Sequence, residues 1–273
     1  MRSRPDTETI LSRPPFSGRL TIDGIAPLQG GESGRTFRIS EDTRQYKLHR
    51  AASRLAAIRI EKRARRFARL LPTLIGRDGR YLLFEWVDGH KPDIPCDPRT
   101  AFLVGQFCGE VHAAGIGCRM DPDRYFAKRL ARIPDELLGT ADKERIRLTY
   151  TRLRAGLGLE CVVGISDLHP HNFIEDGRGG LYLVDEGAIS PEIKGRAFIK
   201  AFSEWIAPDA RDAFWDGYTT RHANGYFTAQ YETVLSLVEA IRAIDYRARQ
   251  GLPPSRLQRE REIVAGLCDL EAR

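Results

Sequence analysis

The sequence predicts an α+β chain of two lobes, a small antiparallel sheet carrying one helix followed by a mainly helical lobe. Three observations lead there. Up to about residue 87, short alternating runs separated by turn residues enclose a single stretch of helical period. From Asp97 onward helical periodicity dominates. Inside that helical half, strand-like segments return briefly around 162–187 and carry a concentration of polar groups. At 273 residues the chain can build two cores.

In order along the chain, LTIDGIAPLQ (20–29) reads as a strand and GGESG (30–34) breaks it. RTFRIS (35–40) and QYKLHR (45–50) alternate again across a polar EDTR turn. Residues 51–71 have helical period, with Ile60, Ala64, Phe67 and Leu71 on one stripe and Arg59, Lys62, Arg65, Arg66 and Arg69 opposite. Glu61 falls on the margin of the apolar stripe. TLIGRDGRYLLFEWVDG (73–89) reads as a hairpin. TAFLVGQFCGEVHAAG (100–115) is a helix with Phe102, Val104, Phe107 and Val111 inward, and His112 near its end is a packing residue. Residues 121–158 read as two or three charged helices and 196–248 as helical. Between them VVGISDLHPHN is strand and loop, and GGLYLVDEG is a short strand. The expected organisation is an N-terminal lobe over 1–87 and a helical lobe over 88–273, with 119–158 as an inserted helical segment.

Composition narrows the function classes. No apolar run is long enough to span a bilayer or form a secretory leader, which sets the expectation of a cytoplasmic protein. The five cysteines form no C-x-x-C pair, against a zinc site or disulfide framework. The net charge of +6 is uneven: residues 44–80 hold twelve Lys and Arg against Glu61 and Asp78. Such a block suits an anionic neighbour, although a solvated face explains it equally. The basic helix lacks interleaved aromatics, so nucleic acid is not expected.

Several groups could do chemistry. The GGESG loop could cradle phosphate oxygens with its N–H groups, although alone a hairpin turn explains it better. Lys47 sits between Tyr46 and Leu48 in a strand and must face solvent or a partner; Glu61 on the following helix is a candidate. Asp167 and Asn172 bracket the loop D-L-H-P-H-N, and Asp185 ends the apolar run LYLV. A buried strand-end acid needs polar partners. Asn172 and Asp185 offer the oxygen donors that Mg²⁺ prefers, and Asp167 could accept the proton of an attacking hydroxyl. The H-x-H pair His169 and His171 is not expected to be a metal site.

D-L-H-P-H-N followed by V-D-E-G resembles the catalytic loop and metal motif of the protein-kinase-like fold, in particular its aminoglycoside and choline phosphotransferase branch. GGESGRTFRI resembles that group's nucleotide loop, QYKLH its lysine strand and LLFEWVDG its hinge, and the helix ending EVHAAG matches in place. The resemblance spans residues 20 to about 190, with its parts in order. It implies an ATP- and Mg²⁺-dependent phosphotransferase. Gly30, Gly31, Ser33 and Gly34 would hold the ATP phosphates, and Lys47 would contact them and pair with Glu61. Glu85 and Val87 would offer hinge backbone groups to adenine. Asp167 would handle the acceptor hydroxyl, and Asn172 and Asp185 would hold the metal.

Three departures stand out. Ile165-Ser166 replace the family's usual His and Gly or Arg before Asp167, and Glu186 follows Asp185 where Phe or Trp is common. Ser190-Pro191 leave no room for a long activation loop, which disfavours a protein substrate. Ten bases face six acids in 119–158, so an acidic pocket for a polycationic drug is not expected. A small-molecule, sugar or glycolipid hydroxyl fits better, with helix 54–69 available to touch an anionic membrane at its inner surface. AFWDGYTTRH (213–222) faintly resembles a helix of lipopolysaccharide-core sugar kinases, which makes a Kdo- or heptose-type acceptor one alternative. A nucleotide-binding regulatory pseudokinase is the other.

Overall fold

The computed structural model describes residues 24–28, 36–222, 227–251 and 254–270, together with Phe16. The glycine loop expected at 30–34 lies outside the described residues, so Gly30, Gly31, Ser33 and Gly34 receive no structural account.

The first half forms the antiparallel sheet expected of it. Strands β1 (Gly24–Pro27), β2 (Thr36–Glu41), β3 (Arg44–Arg50), β4 (Leu74–Asp78) and β5 (Tyr81–Glu85) lie in the order β1-β2-β3-β5-β4. The register sets Lys47 opposite Arg38 on β2 and Phe84 on β5. Period-two alternation buries Tyr46 and Leu48 with Ile39, Tyr81, Leu83 and Phe16, and sends Lys47 to the other face. Helix α1 (Arg54–Arg66) starts where Ser53 Oγ accepts from the Ala56 N–H at 3.1 Å. It buries Ala57, Ile60 and Ala64, and the exposed face carries the basic residues, as the periodicity requires.

The second half is helical: α2 (Pro98–Ala113), α3 (Pro122–Arg132), α4 (Thr140–Arg154), α5 (Arg196–Glu204), α6 (Arg211–Thr219), α7 (Ala229–Arg249) and α8 (Gln258–Leu270). Asp97 caps α2 through the N–H groups of Arg99 and Thr100, with Pro98 at the first position. Helices α3 and α4 pack Phe126, Leu130, Ile146 and Tyr150 against Val234, Val238 and Ile241 of α7. The segment expected as an insertion is therefore part of this core. Phe214, Trp215 and Tyr218 of α6 are buried as well, so the aromatic tract at 213–222 is explained by packing.

Four short strands complete the chain: β6 (Cys161–Ile165) pairs with β9 (Ile189–Ile193), and β7 (Phe173–Glu175) pairs with β8 (Leu181–Leu183). The two compact units do not divide at one point near residue 87. The first takes the described residues of Met1–Pro92 together with His171–Gly187, and the second takes Asp93–Pro170 and Ala188–Arg273. Hydrogen bonding explains the exchange, since the Leu183 N–H donates to the Leu70 carbonyl at 2.8 Å and His90 bridges to Glu175. Among the described residues no helix is long and apolar enough to cross a membrane.

Candidate active site

In the first unit the site is built around Lys47. Its ammonium donates to both carboxylate oxygens of Glu186, each at 2.9 Å, and to the Val184 carbonyl. The Glu186 side chain is 1% exposed and that of Lys47 12%. Burial pushes the Glu186 carboxyl up, and the ammonium of Lys47 pulls it back down.

The Lys47–Glu61 pair expected from the sequence is not formed. Glu61 accepts from Arg77 Nε at 2.5 Å and from Arg65 Nη2 at 3.0 Å. Those guanidinium groups, Arg77 foremost, hold its carboxyl below the usual range. The helical angle correctly set Glu61 at the edge of the buried stripe, but Arg77, on β4, claims it there. The place next to Lys47 goes to a residue the sequence marked only as a departure.

Asn172 and Asp185 also lie in this unit. The Val184 N–H donates to the Asn172 carbonyl at 2.7 Å, continuing the β7–β8 ladder and drawing the two strand ends together. Asp185 Oδ1 accepts from the Gly187 N–H at 2.9 Å, which fixes the carboxylate's orientation. An amide and a carboxylate at neighbouring strand ends form an all-oxygen donor set of low count, which fits Mg²⁺, an ion that retains several waters. No cluster of three His, Cys, Asp or Glu suited to a metal occurs among the described residues.

The hinge follows β5. The Glu85 and Trp86 N–H groups donate to the carbonyls of Thr73 and Gln45, at 2.9 and 3.2 Å. Of its main-chain groups, Glu85 can therefore offer a ligand its carbonyl and not its N–H. A cavity of about 620 Å³ opens beside Glu85, Trp86 and Val87, with Pro72, Thr73 and Tyr182 in its wall. Lys47 and Asp185 do not line it.

Asp167 belongs to the second unit, where it is half exposed and accepts from Lys200 Nζ of α5 at 2.9 Å. The residues around it answer the question that Ile165-Ser166 raised. Ile165 is buried and pairs with Ile189. Ser166 is held by its N–H and Oγ on the Ala188 carbonyl, at 2.8 and 2.9 Å, and its Oγ accepts from Ser190 Oγ at 2.6 Å. Arg196 Nη2 donates to the Ser166 carbonyl at 2.6 Å, and Trp205 Nε1 to the Leu168 carbonyl at 3.1 Å. The main chain is thus tethered on both sides of Asp167.

Arg196 is itself sealed between Glu239 and Glu192, and Arg242 also pairs with Glu239 at 2.6 Å. Glu239, despite its burial, is held below the usual carboxylate range by Arg196 and Arg242 and carries the charge. Burial pushes Glu192 up to about 8 against the pull of Arg196, whose Nη2 donates to it at 3.3 Å. Glu192 Oε1 and His112 Nε2 crowd Gly164, where a Cβ would stand 2.2 and 2.8 Å from them, so any side chain there would displace both. His112 is neutral, its pKa lowered by burial to about 3, with Nδ1 2.9 Å from the Tyr218 hydroxyl.

The charge of 119–158 also changes meaning. Arg129 and Arg132 pair with the buried Asp245, Arg154 with Asp123, Lys143 with Asp135 and Arg147 with Glu144. At least five of its ten bases are in ion pairs within the chain, which weakens the inference from that surplus to an anionic acceptor.

A five-stranded sheet with one helix, a lysine on its third strand, a D-x-x-x-x-N loop and an aspartate ending a short hairpin define the protein-kinase-like fold. Solved structures of small-molecule phosphotransferases have the same fold. Choline kinase LicA from Streptococcus pneumoniae is 19% identical, with a TM-score of 0.68 over 95% of this chain and 99% of that one. Macrolide 2'-phosphotransferase MphH from Brachybacterium faecium is 13% identical, with a TM-score of 0.66 over 97% and 98%. An aminoglycoside-3'-phosphotransferase of type VIII is 18% identical, with a TM-score of 0.55 over 80% and 93%. No family model and no curated sequence matches the chain.

Proposed function

We propose that the protein is an ATP-dependent phosphotransferase that moves the γ-phosphoryl group to a hydroxyl of a small-molecule, sugar or glycolipid acceptor. The observation that carries this reading is the attachment of Lys47 to Val184 and Glu186, the residues on either side of Asp185. A phosphate-facing cation and a metal-ligating carboxylate are thereby fixed to one another by three consecutive residues. Two structures of the shared fold, of LicA and of spectinomycin phosphotransferase APH(9)-Ia, hold AMP, which supports a nucleotide as the donor.

In this reading the Glu85 carbonyl and the Val87 N–H receive adenine, and Lys47 and the backbone of Gly30–Gly34, with Ser33, orient the phosphates. Asn172 and Asp185 would hold Mg²⁺, which when bound supplies charge neutralisation at the phosphate oxygens. Asp167 aligns the acceptor hydroxyl and takes its proton. The acceptor oxygen bonds to the γ-phosphorus as the bond from that phosphorus to the β–γ bridging oxygen breaks, and ADP leaves. Positioning is most of the catalysis in such a site, which suits a main chain pinned on both sides of Asp167.

The test is a screen of hydroxyl compounds, sugars and glycolipids with Mg²⁺ and ATP, reading ATP consumption for wild type and Asp167→Ala. Acceptor-stimulated turnover lost in the variant is expected. Equal, negligible consumption by both proteins across the screen would overturn the enzyme reading in favour of a nucleotide-binding regulator.

A further inference from the structure

We propose that Glu186, not Glu61, is the positioning carboxylate for Lys47 in this chain, so that the lysine is set by the Asp185 segment and not by helix α1. This rests on the phosphotransferase reading for its catalytic consequence, but the pairing itself does not. The geometry is one-sided. Both Glu186 oxygens lie 2.9 Å from Lys47 Nζ, and the Val184 carbonyl takes a further donor from the same ammonium. Glu186 is almost fully buried, and a carboxylate there is tolerated only with a cation against it. Glu61 already has two guanidinium partners, one from its own helix and one from β4. To reach Lys47 it would have to surrender the 2.5 Å bond to Arg77.

The arrangement has a functional meaning. Where the partner of the lysine is on a helix, moving that helix makes and breaks the pair. Here the partner is one residue from Asp185, and Val184 on the other side holds the same ammonium. The phosphate-facing charge and the metal-facing carboxylate therefore keep their spacing whatever α1 does. It also accounts for an acid at position 186, which the sequence presented as an anomaly.

Two measurements on wild type, Glu186→Gln, Glu61→Gln, Lys47→Met and the Lys47→Met/Glu186→Gln double variant test the proposal. The first is limited acetylation of Lys47 read by peptide mass spectrometry, which reports the pair whether or not ATP is turned over. Glu186→Gln should change the Lys47 labelling rate several-fold, and Glu61→Gln should leave it unchanged. The second is kcat and KM for ATP. Glu186→Gln should lose roughly tenfold or more in kcat/KM, Glu61→Gln should stay within about twofold of wild type, and the double variant should be no worse than Lys47→Met alone. A labelling change in Glu61→Gln and none in Glu186→Gln overturns the proposal, and so do additive losses in the double variant. Expected labelling with a wild type inactive on every acceptor leaves the pairing standing and removes only the phosphotransferase reading. If Glu186→Gln fails to fold, recovery of the fold by Lys47→Met/Glu186→Met reports the same pairing, and failure of both overturns it.

Discussion

The two units solve the same problem, a buried charge, in different ways. In the first, one lysine meets one glutamate and the carbonyl of Val184, on either side of Asp185, with 12% of the lysine side chain still exposed. In the second, Arg196 is closed in by Glu239 and Glu192 and donates to a main-chain carbonyl next to Asp167. The first arrangement leaves its cation partly exposed, whereas the second buries a cation that holds a loop. Substitution should therefore separate them, the Lys47 pair showing itself in turnover and the Arg196 cluster in stability.

The largest stability effect is expected at Arg196. Arg196→Met leaves Glu239 buried with only Arg242 for a partner and releases the Ser166 carbonyl, and should cost about 3–5 kcal/mol. Urea denaturation measures this. Lys47→Met should cost less, because Glu186 is already biased towards its protonated form and can become neutral. A Lys47→Met chain as destabilised as Arg196→Met would erase the contrast between the units.

A smaller effect is expected in the pH dependence of stability. His112 titrates near 6.5 unfolded and about 3 folded, so its contribution is complete above 6.5 and is lost as pH falls towards 3. Glu192 titrates near 4.5 unfolded and about 8 folded, so its contribution is complete below 4.5 and is lost as pH rises towards 8. Between 4.5 and 6.5 the two slopes cancel. Their sum is a plateau over that window with a decline on each side, each limb about 1.4 kcal/mol per pH unit at its steepest. Denaturation midpoints across pH 4 to 8 check it. Glu192→Gln should flatten the alkaline limb and, with the cancelling slope gone, extend the acid limb up to about pH 6.5.

Much of this was legible in the sequence, for reasons that differ by residue. Strand alternation placed Lys47 away from the core of Tyr46 and Leu48, and helical period placed Ile60 and Ala64 inward; both are local signals and both hold. The return of strands near Asp167 and Asp185 was also local, and β6 to β9 lie there. Partner choice was not legible. Whether Lys47 meets Glu61 or Glu186 depends on where Arg77 lies across the sheet, and no periodicity carries that. Arg196 and Glu239 are 43 residues apart, so the buried pair that holds the Ser166 carbonyl was not legible from local pattern. The surplus of bases in 119–158 misled in part for the same reason, because Asp245, which takes both Arg129 and Arg132, is buried and more than a hundred residues away in sequence.

The central claim is that Asp167 handles the acceptor while Lys47 and its neighbours handle the nucleotide. Nucleotide affinity and phosphoryl transfer, measured side by side on Asp167→Asn and Lys47→Met, test it most directly. Asp167→Asn should bind nucleotide within about threefold of wild type and lose roughly 10²-fold or more in transfer. Lys47→Met should lose both. Transfer at the wild-type rate by Asp167→Asn would contradict the account.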